Sequence, residues 1–185
     1  MRSVAIVGAN LAGGRAAEAL RQAGFDGQIT LIGEEPLRPY ERPPLSKELL
    51  WNTAEAPNNF FLQDEGWYAE NRIDLLLNTR VEALDLNAGG VRLSGGPLVT
   101  ADKVLLATGG HARKLNLAGA DCANVHYLRT RDDATRMALD LRQGARVVIV
   151  GMGVIGAEVA ASAIKLGCEV TAIEPLAAPM ERALG

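Results

Sequence analysis

The chain opens with two short apolar runs on either side of a longer alanine-rich segment. The runs Ser3–Val7 and Gln28–Ile32 consist largely of aliphatic and β-branched residues, which is typical of strands buried in a sheet. Between them, residues 12–23 carry apolar side chains at helical spacing. The pattern predicts a strand, a helix and a second strand, which together form a β-α-β unit.

The same order of apolar and polar segments returns late in the sequence. Residues 146–150 and 169–173 again have the pattern of buried strands, and residues 154–166 between them have that of an apolar helix. A second β-α-β unit is therefore predicted. Strands that alternate with helices in this way are typical of an α/β fold with a parallel sheet.

Several shorter elements are predicted between the two units. A proline-rich loop covers residues 34–51, and the irregular sequence GGHARKLNLAG holds a domain boundary near residues 112–115. The other predicted elements are a polar helix at 64–71, strands at 73–77, 81–86, 91–93 and 103–107, and an amphipathic helix at 131–141.

Composition narrows the function classes. The 185 residues are 48% hydrophobic and 22% charged, as in ordinary globular proteins. The net charge is −3 and the 19 Lys and Arg are scattered, so no nucleic-acid partner is expected. No apolar run reaches the roughly 18 residues of a membrane span and no signal peptide is recognisable, so the expected location is cytoplasmic, without membrane contact. Cys122 and Cys168 belong to no ligand cluster, and no metal site is predicted.

The second unit carries a regular G-x-G-x-x-G motif in the sequence VVIVGMGVIGAE. Gly151 allows a tight turn from strand to helix, Gly153 lets the backbone approach a pyrophosphate, and Gly156 lets the helix pack closely. The free N–H groups of the helix N-terminus would then face the phosphates. Glu174 follows the second strand, where a carboxylate can bind the ribose hydroxyls and repel a 2′-phosphate, so NADH is expected rather than NADPH.

The first unit has a related but irregular motif, VGANLAGG, in which Gly8 and Gly13 are kept and Asn10 replaces the middle glycine. We expect Asn10 to preserve the turn because a short polar residue tolerates left-handed backbone angles. Glu34 lies just beyond the strand QITLI and is a second candidate for a ribose-binding carboxylate. Two dinucleotide sites in tandem suggest an electron relay.

Several motifs together resemble a known family. The segments VGANLAGG, RPYERPPLSK, LLATGG, YLRTRDDA and VVIVGMGVIGAEVAASAIKLG are similar to those of FAD-dependent NADH:ferredoxin or rubredoxin reductases. These enzymes serve aromatic-ring dioxygenases and some P450 systems. The resemblance implies two Rossmann-like folds on a glutathione-reductase-like plan, with FAD in the first fold and NADH in the second. It also implies an iron–sulfur ferredoxin, or a rubredoxin, as the electron acceptor.

The resemblance also assigns site residues. Lys47 and Glu158 are implied near the reacting rings of flavin and nicotinamide, and Lys47 is a compact cation suited to negative charge on the flavin. The FAD-binding candidates are Gly8, Asn10, Ala12, Gly13, Glu34, Arg42, Lys47, Val81, Thr108, Gly109 and Arg129. The NADH-binding candidates are Gly151, Gly153, Val154, Ile155, Gly156 and Glu174.

The resemblance implies a domain division and a missing part. Residues 1–113 are expected to form the first segment of the FAD domain, and residues 114–185 an incomplete NADH domain, with the C-terminal part of the fold absent. Where disulfide reductases of this plan carry a cysteine pair, the sequence has Leu45, Ser46 and Lys47, so no sulfur relay is expected. Two alternatives are an apoptosis-inducing-factor-like flavoprotein, which shares the RPPLSKELW-type stretch, and an inactive truncated fragment.

Overall fold

A computed structural model describes residues 1–52, 57 and 59–184. The strands are β1 (Ser3–Val7), β2 (Gln28–Ile32), β3 (Ile73–Leu76), β4 (Val81–Asp85), β5 (Gly90–Leu93), β6 (Leu98–Thr100), β7 (Lys103–Leu106), β8 (Arg146–Val150) and β9 (Glu169–Ile173). The helices are α1 (Leu11–Gln22), α2 (Glu48–Trp51), α3 (Trp67–Glu70), α4 (Arg131–Asp140), α5 (Val154–Lys165) and α6 (Glu181–Leu184), and a 3₁₀ helix covers Pro43–Ser46.

The chain divides into two compact units. The first comprises Met1–Glu41 and Asn59–Gly110, and the second comprises Arg42–Asn58 and His111–Gly185. The proline-rich segment that follows Glu41 thus belongs to the second unit, although it lies early in the sequence. Each unit contains one of the two β-α-β motifs.

The first unit is built on a parallel sheet with the strand order β3-β2-β1-β7. Its core is formed by aliphatic side chains of β1 and β2, among them Ile6, Ile29 and Leu31, which are fully buried. Ala17 of α1 is also fully buried, because its small side chain lets the helix lie close to the sheet. An antiparallel sheet, β4-β5-β6, completes the unit.

The second unit contains the parallel pair β8 and β9, with Arg146 opposite Glu169 and Val150 opposite Ile173. The helix α5 connects these strands. The helix α4 begins with a capping box, in which Thr130 accepts from the Asp133 N–H and the Asp133 carboxylate accepts from the Thr130 N–H.

The predicted α/β class with two β-α-β motifs is confirmed, and every predicted strand is found with its ends shifted by at most one residue. Four details differ. The predicted helix at 64–71 is reduced to Trp67–Glu70, the strand β6 and the helix α6 were not predicted, and the loop at 34–51 contains the 3₁₀ helix and α2. Short helical turns are stabilised by tertiary packing rather than by local propensity, so the sequence pattern does not reveal them.

Candidate functional site

In the turn from β1 to α1, the positions of Gly8 and Gly13 have no room for a side chain. Gly8 has φ +115°, and a Cβ placed on it would lie 2.0 Å from the Ala107 carbonyl oxygen. A Cβ on Gly13 would lie 1.9 Å from the Gly8 carbonyl oxygen. Both contacts are with backbone, which cannot move aside without changing the turn.

Asn10 has a different role in this turn from the one predicted. Its φ of −113° and ψ of −168° are extended, so the expected left-handed conformation is wrong. Instead, its Oδ1 accepts from the N–H groups of Ala12 at 3.0 Å and Gly13 at 3.4 Å, and its Nδ2 donates to the Ala107 carbonyl at 2.5 Å. Asn10 therefore caps α1 and ties the turn to the end of β7. An Asn directly before a helical segment is a strong N-cap signal, so the capping role of Asn10 was predictable from the sequence.

The turn from β8 to α5 follows the same glycine rules but has no such cap. Gly151 has φ +94°, and a Cβ on Gly156 would lie 2.0 Å from the Gly151 carbonyl oxygen. Gly153 is the N-cap and, because it has no side chain, it makes no capping hydrogen bond to the helix N-terminus. A Cβ on Gly153 would have no described heavy atom within 4 Å. Gly153, Val154 and Ile155 are exposed, so an anion can reach the N-terminus of α5.

The two candidate ribose carboxylates have different surroundings. Glu34 is exposed and forms an ion pair with Arg80, with Nη1 and Oε1 2.7 Å apart. Glu174 is partly buried, and its two oxygens accept from the N–H groups of Met152 at 2.6 Å and Leu176 at 3.0 Å. Since Met152 lies between the first two glycines of the motif, Glu174 braces the second turn.

The remaining candidates of the first unit lie around the carboxyl ends of its strands. Thr108 and Gly109 directly follow β7 and are exposed, and the hydrogen bond from Asn10 to Ala107 places this strand end beside the first turn. Ala12 lies in the first turn of α1, and Val81 begins β4 and is partly buried. In parallel α/β sheets the carboxyl edge is where ligands bind.

In the second unit the structure brings together Lys47 and Glu158, which are 111 residues apart in the sequence. The Lys47 Nζ lies 2.7 Å from Oε1 of Glu158, and the Ser46 hydroxyl donates to Oε2 at 2.5 Å. Burial raises the pKa of the Glu158 carboxyl, but the hydrogen bonds from Lys47 and Ser46 outweigh burial and leave its pKa below the ordinary value. Glu158 is therefore ionised at neutral pH, and the pair carries no net charge.

A cavity of about 270 Å³ in the second unit gathers many of the predicted residues. Arg42 donates to the Arg129 carbonyl, while the Nε of Arg129 is buried without a hydrogen-bond partner among the described residues. A buried donor of this kind suits a ligand that presents oxygen or negative charge. The predicted site residues that line the cavity are Arg42, Lys47, Arg129, Val154, Ile155 and Glu158.

A larger cavity, of about 730 Å³, is lined by residues around β8 and β9 that include Arg142, Arg146 and Glu169. None of the predicted site residues lines it, so its size does not make it the better candidate. In the described part of the chain, no group of three or more His, Cys, Asp or Glu could hold a metal ion, and Cys122 and Cys168 are free thiols. None of the described helices is long and apolar enough to cross a membrane.

Two features of the site were not predicted from the sequence. Ser46 belongs to the segment Leu45–Lys47 that lacks the cysteine pair of disulfide reductases, and no role was predicted for it, yet its hydroxyl donates to Glu158. Ser162, which is buried in α5, donates to the Ser46 carbonyl at 2.6 Å. The only sequence signal for Ser162 is a polar residue in an otherwise apolar helix, one turn after Glu158.

The chain is similar to known proteins over nearly its whole length. The family model "Pyridine nucleotide-disulphide oxidoreductase" matches residues 2–185. The chlorobenzene dioxygenase ferredoxin reductase component of Cupriavidus sp. (strain PS12) is 43% identical over 182 residues, which cover 98% of this chain and 44% of the relative. The rubredoxin-NAD(+) reductase of Pseudomonas putida is 40% identical over 180 residues, which cover 97% and 46%.

Solved structures agree with these matches. The crystal structure of the covalent putidaredoxin reductase-putidaredoxin complex has 38% sequence identity and a TM-score of 0.93 to this chain. The match covers 100% of this chain and 45% of that one. The chain thus spans less than half the length of the relatives it matches.

Proposed function

Because this chain belongs to the pyridine nucleotide-disulphide oxidoreductase family, we propose that its protein is a FAD-dependent oxidoreductase that passes electrons from NADH to an iron–sulfur protein. The specific acceptor that we propose is a [2Fe–2S] ferredoxin of a multicomponent aromatic-ring dioxygenase. The dioxygenase reductase components among its relatives, at 40–45% identity, support this choice. The rubredoxin reductase at 40% identity makes a rubredoxin the second candidate acceptor.

The observation that carries the proposal is the Lys47–Glu158 ion pair at 2.7 Å in the wall of the cavity. The family resemblance implies that Lys47 and Glu158 lie beside the reacting rings of the flavin and the nicotinamide. A cation held 2.7 Å from its counter-ion is fixed in place but can still face a ligand in the cavity, because Lys47 remains 37% exposed. Although the pair carries no net charge, it would hold the ammonium group of Lys47 at a fixed place in the cavity wall, where the resemblance implies the reacting rings.

The residues present fit the two cofactors. Gly8, Gly13 and the end of β7 would hold FAD in the first unit. In the second unit, the buried Nε of Arg129 is a donor that suits an oxygen or a negative charge of a ligand. The open turn at Gly153 and the carboxylate of Glu174 would hold the pyrophosphate and ribose of NADH. When bound, NADH supplies a hydride and FAD accepts its two electrons, which leave singly for the iron–sulfur protein.

The absence of a cysteine pair beside Lys47 favours direct transfer to a separate protein over a disulfide relay. Cys122 is exposed and Cys168 is buried, with its thiol 3.4 Å from the Arg142 carbonyl. Neither lines the cavity that holds Lys47 and Glu158. The cofactor chemistry would then end in outer-sphere transfer to a partner.

The proposal is tested by reconstituting the purified protein with FAD and adding NADH without oxygen. We expect the flavin absorbance near 450 nm to bleach with NADH, and a [2Fe–2S] ferredoxin added in stoichiometric amount to be reduced afterwards, as in flavin-mediated relays. Lys47→Met, which keeps the length of the side chain, should slow the bleaching. Failure of NADH to bleach bound FAD in the unmutated protein would refute the proposed function.

Coenzyme choice provides a second test. Glu174 ends its strand, and no Lys or Arg occurs in the following PLAAPM sequence to neutralise a 2′-phosphate. We expect NADH to be preferred over NADPH by roughly 2–4 kcal/mol, which is about 30-fold to 1000-fold in kcat/KM. Equal kcat/KM values for the two coenzymes would show that Glu174 does not face the ribose.

A further inference from the structure

The two oxygens of the Glu158 carboxylate have separate partners. Oε1 receives Lys47 Nζ at 2.7 Å, and Oε2 receives the Ser46 hydroxyl at 2.5 Å. A hydroxyl that donates to a carboxylate makes a short, charge-assisted hydrogen bond. With Oε2 held in this way, the plane of the carboxylate is set and Oε1 is left for the lysine.

Ser46 is itself held firmly. It is 4% exposed and ends the 3₁₀ helix, in which two prolines restrict the backbone. Its carbonyl accepts from the hydroxyl of Ser162 at 2.6 Å, and Ser162 is 2% exposed. The same Ser162 oxygen lies 2.9 Å from the Glu158 carbonyl, but its single proton donates to one acceptor, and the shorter contact is with Ser46.

A purely structural role for the Ser46 hydroxyl is less consistent with the distances. The other acceptor within reach is the Pro43 carbonyl, at 3.4 Å, which would be a weak local bond within the 3₁₀ helix. The hydroxyl has one proton, and the ionised carboxylate at 2.5 Å is the stronger acceptor. The contact that the serine makes is therefore with Glu158.

We propose that Ser46 is a positioning residue for the Lys47–Glu158 pair: its hydroxyl fixes the carboxylate so that Lys47 is held at one place in the cavity wall. The inference rests on the proposed function for its redox consequence, but its geometric part concerns only this chain. Without the hydroxyl, Glu158 could turn both oxygens toward Lys47 or toward water, and the ammonium group would follow the carboxylate. Among the described residues, Lys47 Nζ also donates to the Pro43 carbonyl, at 3.3 Å. A hydrogen bond of this length is too weak to hold the ammonium group alone.

The first test uses the purified chain without cofactors. The variants are Ser46→Ala and the isosteric pair Ser46→Thr and Ser46→Val, which share one shape and differ in the hydroxyl. Carboxyl ¹³C NMR follows the titration of Glu158, which is assigned with Glu158→Gln, and acetic anhydride labelling follows the reactivity of Lys47. We expect Ser46→Ala and Ser46→Val to raise the Glu158 pKa and to speed labelling of Lys47 severalfold, because a hydrogen bond to the charged carboxylate is lost. Ser46→Thr should retain both properties.

Ser162→Ala is the matched control. This substitution removes the buried hydroxyl that donates to the Ser46 carbonyl. It leaves the hydrogen bond from the Ser46 hydroxyl to the Glu158 carboxylate in place. If Ser46 acts only by supporting the local fold, Ser162→Ala and Ser46→Ala will lower the melting temperature and change the Glu158 titration together. We expect the melting temperature to fall in both and the titration to move strongly in Ser46→Ala alone. Should Ser46→Ala not fold, the Thr and Val pair decides between these outcomes.

The second test uses the flavin-loaded protein. Ser46→Val should make the reduction potential of bound FAD more negative, and should lower kcat for NADH oxidation by about tenfold to a hundredfold with little change in KM. Ser46→Thr should match the unmutated protein in both. If Ser46→Val changes neither the Glu158 titration nor the potential, the inference is overturned. If the titration changes but NADH does not reduce FAD in the unmutated protein, the proposed function fails while the positioning role of Ser46 stands.

Discussion

The two strand-to-helix turns have nearly the same backbone and opposite chemistry at the helix N-terminus. Gly8 N donates to the Ile32 carbonyl at 2.8 Å, and Gly151 N donates to the Ile173 carbonyl at 2.8 Å. The last glycine of each motif also packs against the first. A Cβ on Gly13 would lie 1.9 Å from the Gly8 carbonyl oxygen, and a Cβ on Gly156 would lie 2.0 Å from that of Gly151. The difference is the N-cap, which is Asn10 in one turn and Gly153 in the other.

This difference shows that the same strand-to-helix turn can bind its helix N–H groups with a side chain of the chain itself or leave them available to a ligand. In the first turn, Asn10 accepts from two N–H groups of α1, so these two have an acceptor within the chain. In the second turn the N-cap of α5 is Gly153, which offers no side-chain acceptor to the corresponding N–H groups. A phosphate would gain more from binding to the second turn than to the first.

The surroundings of the turns differ in a related way. Glu174 follows β9 and accepts from the Met152 N–H, whereas Gly33 follows β2 at the matching position. A Cβ on Gly33 would lie 2.5 Å from the Cβ of Ala9, so the first turn is closed by packing where the second is braced by a carboxylate. The second turn therefore combines an open N-terminus with a fixed acid.

The largest effect is expected where the two turns are alike. Gly13→Ala and Gly156→Ala each place a methyl group about 2 Å from a backbone carbonyl oxygen and should destabilise their units by about 3–5 kcal/mol. Thermal unfolding followed by circular dichroism measures both. Gly153→Ala is the control, since its Cβ has free space, and it should cost less than about 1 kcal/mol. Tolerance of either buried substitution would contradict the close packing of that turn.

The next effect separates the turns through the cap. Asn10→Ala removes the acceptor for two N–H groups and the donor to Ala107, and should destabilise the first unit by about 1–2 kcal/mol. Gly153→Asn, the reverse exchange, should stabilise the second unit by about 0.5 kcal/mol and weaken NADH binding. Melting temperatures and NADH titrations measure these changes. If Gly153→Asn binds NADH as tightly as the unmutated chain, the free N–H groups do not receive the pyrophosphate.

A smaller effect distinguishes the two acids. Glu174→Ala should destabilise the second unit by about 1–2 kcal/mol, because two backbone N–H groups lose a charged acceptor. Glu34→Ala should change stability by less than about 0.5 kcal/mol, since it removes one exposed ion pair with Arg80. Urea unfolding of the two variants in parallel makes the comparison. Equal losses would show that Glu174 does not brace its turn.

The smallest effect concerns pH and lies on the helices that follow the turns. Seven residues after the first glycine, α5 carries Glu158 and α1 carries Arg15. The folded-state pKa of Glu158 lies below the ordinary value of 4.5, so it contributes stability above that pH and the contribution is lost as the pH falls through the lowered pKa. Glu158→Gln should therefore flatten the acid dependence of the second unit below about pH 4.5. An unchanged acid profile in Glu158→Gln would show that the carboxylate is not stabilised by Lys47 and Ser46.

Much of the fold was predictable because its signals are local. The strands Ser3–Val7, Gln28–Ile32, Arg146–Val150 and Glu169–Ile173 were predicted with their observed bounds, since a short run of aliphatic and β-branched residues is a local signal in the sequence. The glycines of the two turns were predicted because the backbone restricts these positions locally. Gly8 and Gly151 have positive φ, and a Cβ on Gly13 or Gly156 would meet a backbone carbonyl oxygen. The residues of the cavity were named from the family resemblance, and their roles toward cofactors stay predictions.

By itself, the sequence determined where the strands and the glycine turns lie, because backbone sterics and burial act within a few residues. Only the tertiary structure decided what the polar side chains do. Asn10 donates to the Ala107 carbonyl at the end of β7, 97 residues away, and Ser46 became a partner of Glu158 across 112 residues. Hydrogen bonds of this kind depend on distances of a few ångströms between elements that lie far apart in the chain, and those distances exist only after the core has packed.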